Sequence, residues 1–336
     1  MKKLYLAFIC SAFLWGANTA HSENIVFTAW GGTTQDGQYK AWAERFTTAT
    51  KSAVLQDGPT DYGKLQAMIE SGNISWDVVD VEADFAIYAA NKGWLEPIDF
   101  SIVDKTRLDP RFVTDYSVGS FYYSFVIGCN ADAAPACPET LADFFDVDKF
   151  PGKRTLYQWS APGVLEAALL ADGVKPDELY PLDLDRAYKK LDTIKDYIVW
   201  WQGGAQSQQL IASGETPYGL IWNGRMTILQ RTGINAKISW QQNLTASDQL
   251  VVLKGNKKKD LAMKFLATAV SPEGQATMAT ETGFAPINLD SEKYMAPELL
   301  DNMPDRHSES QVNLNMQYWA SNREEIGKRW YAWQAK

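Results

Sequence analysis

The sequence predicts an α/β protein with a largely parallel sheet, and three observations lead to this fold class. Short apolar strands alternate with helical patterns along the chain, and glycines stop several of the predicted helices. In addition, 46% of the 336 residues are hydrophobic, which is enough for a sizeable core. Ligand-binding residues are therefore expected at the carboxyl ends of the strands.

The first block of the chain alternates three strands with three helices. The strands are predicted at residues 25–30, 54–55 and 77–81. Gly72 stops the second helix, and an Ala-rich third helix ends at residues 91–93. The apolar residues that mark the faces of the first two helices are Tyr39, Trp42, Ala43 and Phe46, and then Leu65, Met68 and Ile69.

A second α/β block starts after the apolar run 121–127. Its predicted strands are residues 218–222 and 249–253, and a Gln-rich helix ends before the turn at 213–217. The other helices are predicted at 140–145, at 162–171, at 185–197 with Ala187, Leu191, Ile194 and Ile198 on one face, and from the 254–256 cap to about residue 270. Because no Pro/Ser-rich linker separates the blocks, we expect several segments to cross between them.

The composition is acidic and rich in tryptophan. Lys and Arg total 32 against 41 Asp and Glu, and the net charge is −9 without a basic block, so a nucleic-acid partner is not expected. The 13 Trp residues are large, stiff side chains suited to flat or cationic ligands. The composition therefore favours a binding site with aromatic walls.

Residues 1–22 have the pattern of a secretory signal peptide. Lys2 and Lys3 precede the apolar stretch 4–15, which is too short to span a bilayer. Small residues follow, and cleavage is predicted after Ala20 or Ser22, with Ser22 preferred. The mature protein is therefore expected in the periplasm.

Removal of the leader leaves two cysteines, Cys129 and Cys137, eight positions apart in a Pro-containing segment. In an oxidising compartment this pair predicts a disulfide bond rather than a reactive or metal-binding site. His307 is the sole histidine after the leader and stands in a polar run. A zinc site built on several histidines is therefore not expected, and we predict neither a metal nor a cofactor.

Five segments occur in the same order as in bacterial solute-binding proteins, namely residues 27–30, 76–81, 93–99, 221–224 and 282–288. The chain resembles the spermidine/putrescine-type binding proteins that serve ABC importers, and the likeness covers essentially the whole mature sequence. It implies a two-lobed periplasmic binding protein fold of type II, with a hinged ligand cleft between the lobes. Carried over, lobe 1 is residues 23–128 plus 248–288, and lobe 2 is residues 129–247 plus 289–336. The implied partners are a small solute and an ABC membrane permease, and we expect a monomer.

The resemblance also implies the cleft residues. In polyamine binders of this family, aromatic side chains stack on the methylene chain and carboxylates bind the ammonium ends. Trp30, Trp222 and Phe284 match the aromatic positions, and each could instead belong to the core. Asp248 matches an amine-binding carboxylate, or it is a cap at the end of a strand.

The chain departs from the polyamine pattern at residues 159–163, where acidic residues are missing, and it carries Arg225 just beyond Trp222. Arg225 in the cleft would accept a carboxylate through its two-pronged guanidinium, whereas a structural ion pair is the alternative. Opposite charges at Asp248 and Arg225 favour a short ω-amino acid such as 4-aminobutyrate (GABA) over putrescine or spermidine. This agrees with the GABA-importing branch of the family. The remaining predicted neighbours of the ligand are Trp201, Ser124 and Glu82.

Two other function classes were weighed against a binding protein. An exported hydrolase could use Asp80 and Glu82 as acid and base, but no set of nucleophile and base accompanies them. A ferric-ion site could use Tyr122 and Tyr123, but this doublet lies in an apolar crossing segment and is better explained as aromatic core. We therefore predict a solute-binding protein and not an enzyme.

Overall fold

The computed structural model describes residues 23–336, so the predicted leader lies outside the described residues. Strands and helices alternate in the described part, which confirms the predicted α/β class. The strands are β1 (Ile25–Thr28), β2 (Val54–Asp57), β3 (Val78–Glu82), β4 (Val118–Asn130), β5 (Arg154–Tyr157), β6 (Ile198–Trp201), β7 (Tyr218–Trp222), β8 (Ala236–Val251) and β9 (Val312–Asn313).

The helices pack on the two faces of the sheet, where they cover its apolar residues. They are α1 (Gly32–Thr50), α2 (Tyr62–Ser71), α3 (Ala83–Asn91), α4 (Leu141–Phe144), α5 (Val164–Ala171), α6 (Leu184–Asp192), α7 (Gly204–Ala212), α8 (Asn223–Arg231), α9 (Lys259–Ala269), α10 (Pro272–Thr282), α11 (Pro297–Leu300) and α12 (Met316–Gln334).

The strands form one sheet in the order β2-β1-β3-β8-β4-β7-β5-β6, with β9 beside β8. β1 is parallel to β2 and β3, which together we call the first half-sheet, and β5 is parallel to β6 and β7, the second half-sheet. Between the halves lie two long antiparallel strands, β4 and β8, which we call the crossing strands. They are the segments expected to join the two α/β blocks.

The strand register makes the two half-sheets face each other. Glu82, the last residue of β3, pairs with Asp248 on β8, and Trp222, the last residue of β7, pairs with Phe125 on β4. Asp248 in turn pairs with Phe121, so a short stretch of the crossing strands separates the two carboxyl ends. A cleft at this stretch is therefore bordered by the carboxyl ends of both half-sheets.

Local sequence signals set several helix limits. The side chain of Asp61 accepts a hydrogen bond from the backbone N–H of Lys64 at the start of α2, an N-cap arrangement. Gly72 ends the same helix in a left-handed conformation with φ 68°, which glycine adopts at little cost. Gly283 ends α10 in the same way, with φ 74°. These caps bring the chain back toward the sheet.

Three details of the predicted elements are wrong. Tyr39 is 38% exposed although it was predicted on the buried face of α1. Ile198 belongs to β6 and not to α6, because the chain leaves the helix at Asp192. Strand β8 begins at Ala236 and not at residue 249. The prediction missed its first part because buried polar residues alternate with apolar ones there, a pattern that does not indicate a strand buried on both faces.

The predicted disulfide is confirmed. Cys129, near the end of β4, is bonded to Cys137 in the following loop, with an Sγ–Sγ distance of 2.03 Å. The bond ties the loop 131–137 to the second half of the crossing strands.

Among the described residues, no helix combines the length and the apolar character that crossing a membrane requires.

Candidate ligand-binding cleft

A cavity of about 780 Å³ lies between the two half-sheets. Trp30 and Glu82 at the ends of β1 and β3 line it from one side. Tyr157, Gln202 and Trp222, at the ends of β5, β6 and β7, line it from the other. The cavity therefore has the position that the strand directions predict for a ligand.

The structure brings most of the sequence-predicted site residues into this cavity and leaves two outside it. The residues that line it are Trp30, Glu82, Trp222, Arg225, Asp248 and Phe284. Ser124 and Trp201 are fully buried behind the cavity wall. The six lining residues come from five separate segments of the chain, which the fold brings together.

Asp248 presents a buried carboxylate to the cavity. It is 5% exposed, and its Oδ2 accepts a hydrogen bond of 2.9 Å from the indole N–H of Trp30. Burial, with the neighbouring Asp80 and Glu82, raises the pKa of Asp248 well above its usual range. A ligand ammonium would oppose this shift, because it would supply the missing counter-charge.

Asp80 lies beneath Asp248 and is completely buried. Its Oδ2 accepts hydrogen bonds from Ser120, at 2.8 Å, and from Gln38, whereas Oδ1 has no hydrogen-bond partner. Burial raises the pKa of Asp80 to about 7, against the lowering effect of these hydrogen bonds. Burial and mutual repulsion thus disfavour ionisation of the neighbouring carboxyls Asp80 and Asp248 when no cation is near.

Arg225 brings a buried positive charge to the cavity from the start of α8. It is 6% exposed, and it donates to the hydroxyls of Thr33, at 2.7 Å from Nη1, and Thr34, at 2.5 Å from Nη2. These threonines belong to α1 on the other side of the cleft, so Arg225 bridges the two sides. Burial lowers the pKa of Arg225 to about 10, which leaves it cationic at neutral pH, and its Nε has no partner.

Gly204, the first residue of α7, gives the Arg225 guanidinium its space. A Cβ atom at this position would lie 2.6 Å from the Cζ of Arg225, too close for any real contact. The glycine is therefore required by close approach and not by its own backbone conformation.

Aromatic rings form the wall between the two charged residues. Trp222 packs edge-on against Tyr123, with centroids 5.6 Å apart, and against Tyr157, at 5.5 Å. Phe284 stacks on Phe121 at 4.6 Å. All five rings line the cavity, which suits the apolar middle of a ligand.

The side-chain alternation along β4 explains why Ser124 is outside the cavity. Tyr123 faces the cavity, so its neighbours Tyr122 and Ser124 point to the opposite face of the sheet. There the hydroxyl of Ser124 bonds Asn243 Oδ1 at 2.8 Å and Thr245 Oγ1 at 2.9 Å. Ser124 is thus part of a buried polar network in the crossing strands.

Trp201 supports the aromatic wall from behind. It is fully buried and contacts Tyr157, with centroids 4.4 Å apart, and Trp222, at 4.8 Å. Trp201 therefore lies next to two lining residues and is not itself part of the cavity lining.

Several cavity residues were missed by the sequence analysis. Tyr123 belongs to the apolar run that was interpreted as core, Tyr157 ends β5, which was not predicted, and Tyr62 begins α2. Arg323 reaches the cavity from α12, far from every segment that carried the resemblance. Tyr123 lies on the same face of the strand as Phe121, because side chains two residues apart on a strand point to the same side. This alternation was the one available cue for Tyr123. No comparable signal marked Arg323.

The two alternative site types receive no further support. Tyr122 stacks on Phe112, with centroids 4.9 Å apart, and faces away from the cavity that Tyr123 lines, so the tyrosine doublet cannot act together there. Within residues 23–336, no group of three or more His, Cys, Asp or Glu side chains is placed to hold a metal ion.

Known proteins with similar sequences and structures are solute-binding proteins. The gamma-aminobutyric acid-binding protein of Pseudomonas aeruginosa is 30% identical over 95% of this chain and 93% of its own length. A solved structure described as the Atu4243-GABA receptor is 66% identical, with a TM-score of 0.90, covering 94% of this chain and 98% of that one. AgtB from A. tumefaciens R10, solved in complex with agropinic acid, is 32% identical with a TM-score of 0.86, covering 94% and 99%.

These structures share the periplasmic binding protein fold that the resemblance implied, which is thereby confirmed. The sequence signature of bacterial extracellular solute-binding proteins matches residues 41–303. The extracellular character of that family also confirms the predicted export to the periplasm. The chain belongs to the bacterial extracellular solute-binding proteins.

Proposed function

We propose that this protein is the substrate-binding component of an ABC importer and that its ligand is 4-aminobutyrate or a similar short ω-amino acid. The observation that carries the proposal is the pair of buried opposite charges, Asp248 and Arg225, in one aromatic-walled cavity. A zwitterion with its charges at opposite ends neutralises both residues at once. The GABA-binding proteins among its relatives support the same assignment.

The ammonium end of the ligand binds Asp248. Trp30 already donates to Oδ2 of this carboxylate and holds it at the cavity wall. A cation here favours the ionised form of Asp248 and so counters the rise in pKa caused by burial.

The carboxylate end of the ligand binds Arg225. The guanidinium is already oriented by the Thr33 and Thr34 hydroxyls. A carboxylate would pair with this guanidinium through charge-assisted hydrogen bonds, which are stronger than neutral ones. An α-amino acid fits less well, because its two charged groups sit on one carbon and cannot reach both residues.

A diamine such as putrescine is the second candidate, since Glu82 gives the cavity another carboxylate. Two arguments favour the zwitterion. A second ammonium near Arg225 meets like charge, and Glu82 already lies 3.8 Å from the guanidinium of Arg323. The cavity is larger than a four-carbon ligand, so longer ω-amino acids remain within the proposed class.

The proposed mode of action is that of a carrier and not of an enzyme. Two lobes, residues 23–128 plus 248–288 and residues 129–247 plus 289–336, close over the ligand by bending the crossing strands. The closed monomer then delivers the ligand unchanged to a membrane permease. Recovery of unaltered labelled ligand after long incubation tests this part, and a chemical product would contradict it.

Titration calorimetry with GABA, longer ω-amino acids, α-amino acids and putrescine tests the ligand assignment. We expect GABA or a close ω-amino acid to bind most tightly. In a separate thermal-unfolding measurement the same ligand should raise the midpoint temperature of unfolding, because it binds only the folded protein. Putrescine bound as tightly as GABA would return the protein to the polyamine class and make Arg225 a structural residue.

A further inference from the structure

Arg323 contributes a second positive charge to the cleft, and the ligand assignment above uses it only as the neighbour of Glu82. It lines the cavity together with Glu82. Its side chain is 19% exposed, so most of the guanidinium is withdrawn from water. A long cationic side chain in such a place requires counter-ions.

The helix that carries Arg323, α12, is bonded through tryptophan N–H groups to residues beside the second half-sheet. Trp330 donates to the backbone oxygen of Gln158 at 2.8 Å, and Trp319 donates to Glu166 at 2.5 Å. Trp330 is 1% exposed and Trp319 is fully buried, so the helix is held firmly on this side.

From this helix, the side chain of Arg323 contacts residues at the edge of the first half-sheet. Its guanidinium forms an ion pair with Asp84 at the start of α3 and lies 3.8 Å from Glu82 at the end of β3. The rings of Tyr62 and Phe85 lie 5.1 Å and 5.4 Å from its Cζ. The charge is therefore held by two carboxylates and two aromatic rings of the opposite side.

The two carboxylates depend on Arg323 in turn. Asp84 is completely buried, and its Oδ1 has no hydrogen-bond partner. Glu82 accepts a hydrogen bond of 3.2 Å from the Tyr62 hydroxyl, and Arg323 is the cation nearest to it in the cavity wall. Another acidic residue at the cavity, Asp61, is solvent-exposed and caps α2, so it needs no such partner.

We propose that Arg323 sets which ligand charge the cleft accepts, because it holds Glu82 and Asp84 as its own counter-ions and leaves Asp248 to bind an ammonium. The inference rests on the proposed zwitterionic ligand and extends it to a residue that determines specificity. With Arg323 present, Glu82 is not available to a second ammonium. Without it, two buried carboxylates lack a cation, and a diamine can supply one.

The test compares the affinities of GABA and putrescine for the wild type and for Arg323→Gln, measured by titration calorimetry. We expect the preference for GABA over putrescine to fall by about tenfold or more, because the freed carboxylates favour the dication and do nothing for the zwitterion. If putrescine is too weak to measure on the wild type, the variant should bring its binding into range.

Arg329→Gln is the matched control, since Arg329 lies on the same helix and pairs with the exposed Asp185. It should leave the ratio of the two affinities unchanged. The double variant Glu82→Gln/Arg323→Gln should recover much of the lost preference, because the released carboxylate is removed. A merely structural role of Arg323 would lower both affinities together and leave their ratio as in the wild type, which would overturn the inference.

Glu82→Gln alone keeps the guanidinium and covers the case in which Arg323→Gln does not fold. It removes one counter-ion of Arg323, so the less neutralised guanidinium should weaken the binding of putrescine, a dication, more than that of GABA. A loss of more than about tenfold for GABA would make Glu82 a ligand carboxylate and refute the inference. Failure of wild-type protein to bind any ω-amino acid would instead refute the proposed function, before any variant is compared.

Discussion

Asp248→Asn tests the ammonium site most directly. The substitution removes one negative charge from a side chain that is 5% exposed and keeps an oxygen that can accept the 2.9 Å hydrogen bond from Trp30. The local packing is preserved, so the change acts on the ligand more than on the fold. Loss of one partner of a buried, hydrogen-bonded charge pair costs about 2–5 kcal/mol. At about 1.4 kcal/mol for each factor of ten, this corresponds to a roughly 30- to several-thousand-fold weaker Kd for GABA.

Asp57→Asn is the matched control for this experiment. Asp57 also accepts a hydrogen bond from a tryptophan N–H, that of Trp76 at 2.6 Å, but it does not line the cavity. Calorimetry should find its GABA affinity close to that of the wild type, whereas Asp248→Asn loses most of its affinity. If Asp248→Asn binds GABA within about threefold of wild type, Asp248 is a structural residue of β8 and the ammonium site lies elsewhere.

Three further predictions concern the other end of the ligand and the pH. Arg225→Gln should lower the affinity for GABA by about 30-fold or more and the affinity for putrescine much less. The control Arg231→Gln lies on the same helix but bonds to a surface carbonyl, so it should change neither affinity. Equal losses of affinity for both ligands would contradict the carboxylate site. Gly204→Ala should likewise weaken GABA binding, because its methyl group displaces the Arg225 guanidinium. Gly327→Ala is its control in the same calorimetry, because Gly327 does not line the cavity and its Cβ would come no closer than 3.8 Å to any atom. The pKa of Asp80 is raised to about 7 in the fold, so its contribution to the stability of the ligand-free protein is present at acidic pH and is lost as the pH rises through about 7. Thermal unfolding from pH 5 to 8 should show that the stability of Asp80→Asn falls less with rising pH than the stability of the wild type. The GABA affinity of the wild type should fall on acidification. A stability profile of the variant identical to that of the wild type would argue against a protonated Asp80.

The elements that the sequence predicts well are those with simple periodicity. β7 was predicted with its observed limits, because a turn precedes it and a helix follows it directly. β8 was predicted only near its end, since Asn243, Thr245 and Ser247 are polar and buried. A sequence pattern cannot reveal that such residues bond to one another inside a two-sided sheet.

The charged residues of the cleft could be predicted to different extents for the same reason. Asp248 and Arg225 stand next to strand ends, and a strand end is a position that sequence can locate. Arg323 lies in the middle of a long surface helix, where arginine is common and unremarked. Its proposed role rests on the packing of α12 against α3, which no local pattern encodes. Ser124 was predicted in the cleft because the sequence does not show which of two neighbouring strand residues faces the cavity. That choice depends on the register of β4, which only the structure provides.

The proposed zwitterion matches charges that come from different parts of the cleft wall. Arg225 belongs to α8 but is oriented by Thr33 and Thr34 of α1, and Asp248 lines the cavity from β8. Both charged side chains are buried, and burial disfavours the ionised state of each. The proposed zwitterion would relieve both penalties at once, whereas a neutral solute would relieve neither and a diamine only one. The ligand would therefore supply the counter-ions that the cleft lacks, and a solute with charges at opposite ends is the one that these two residues select.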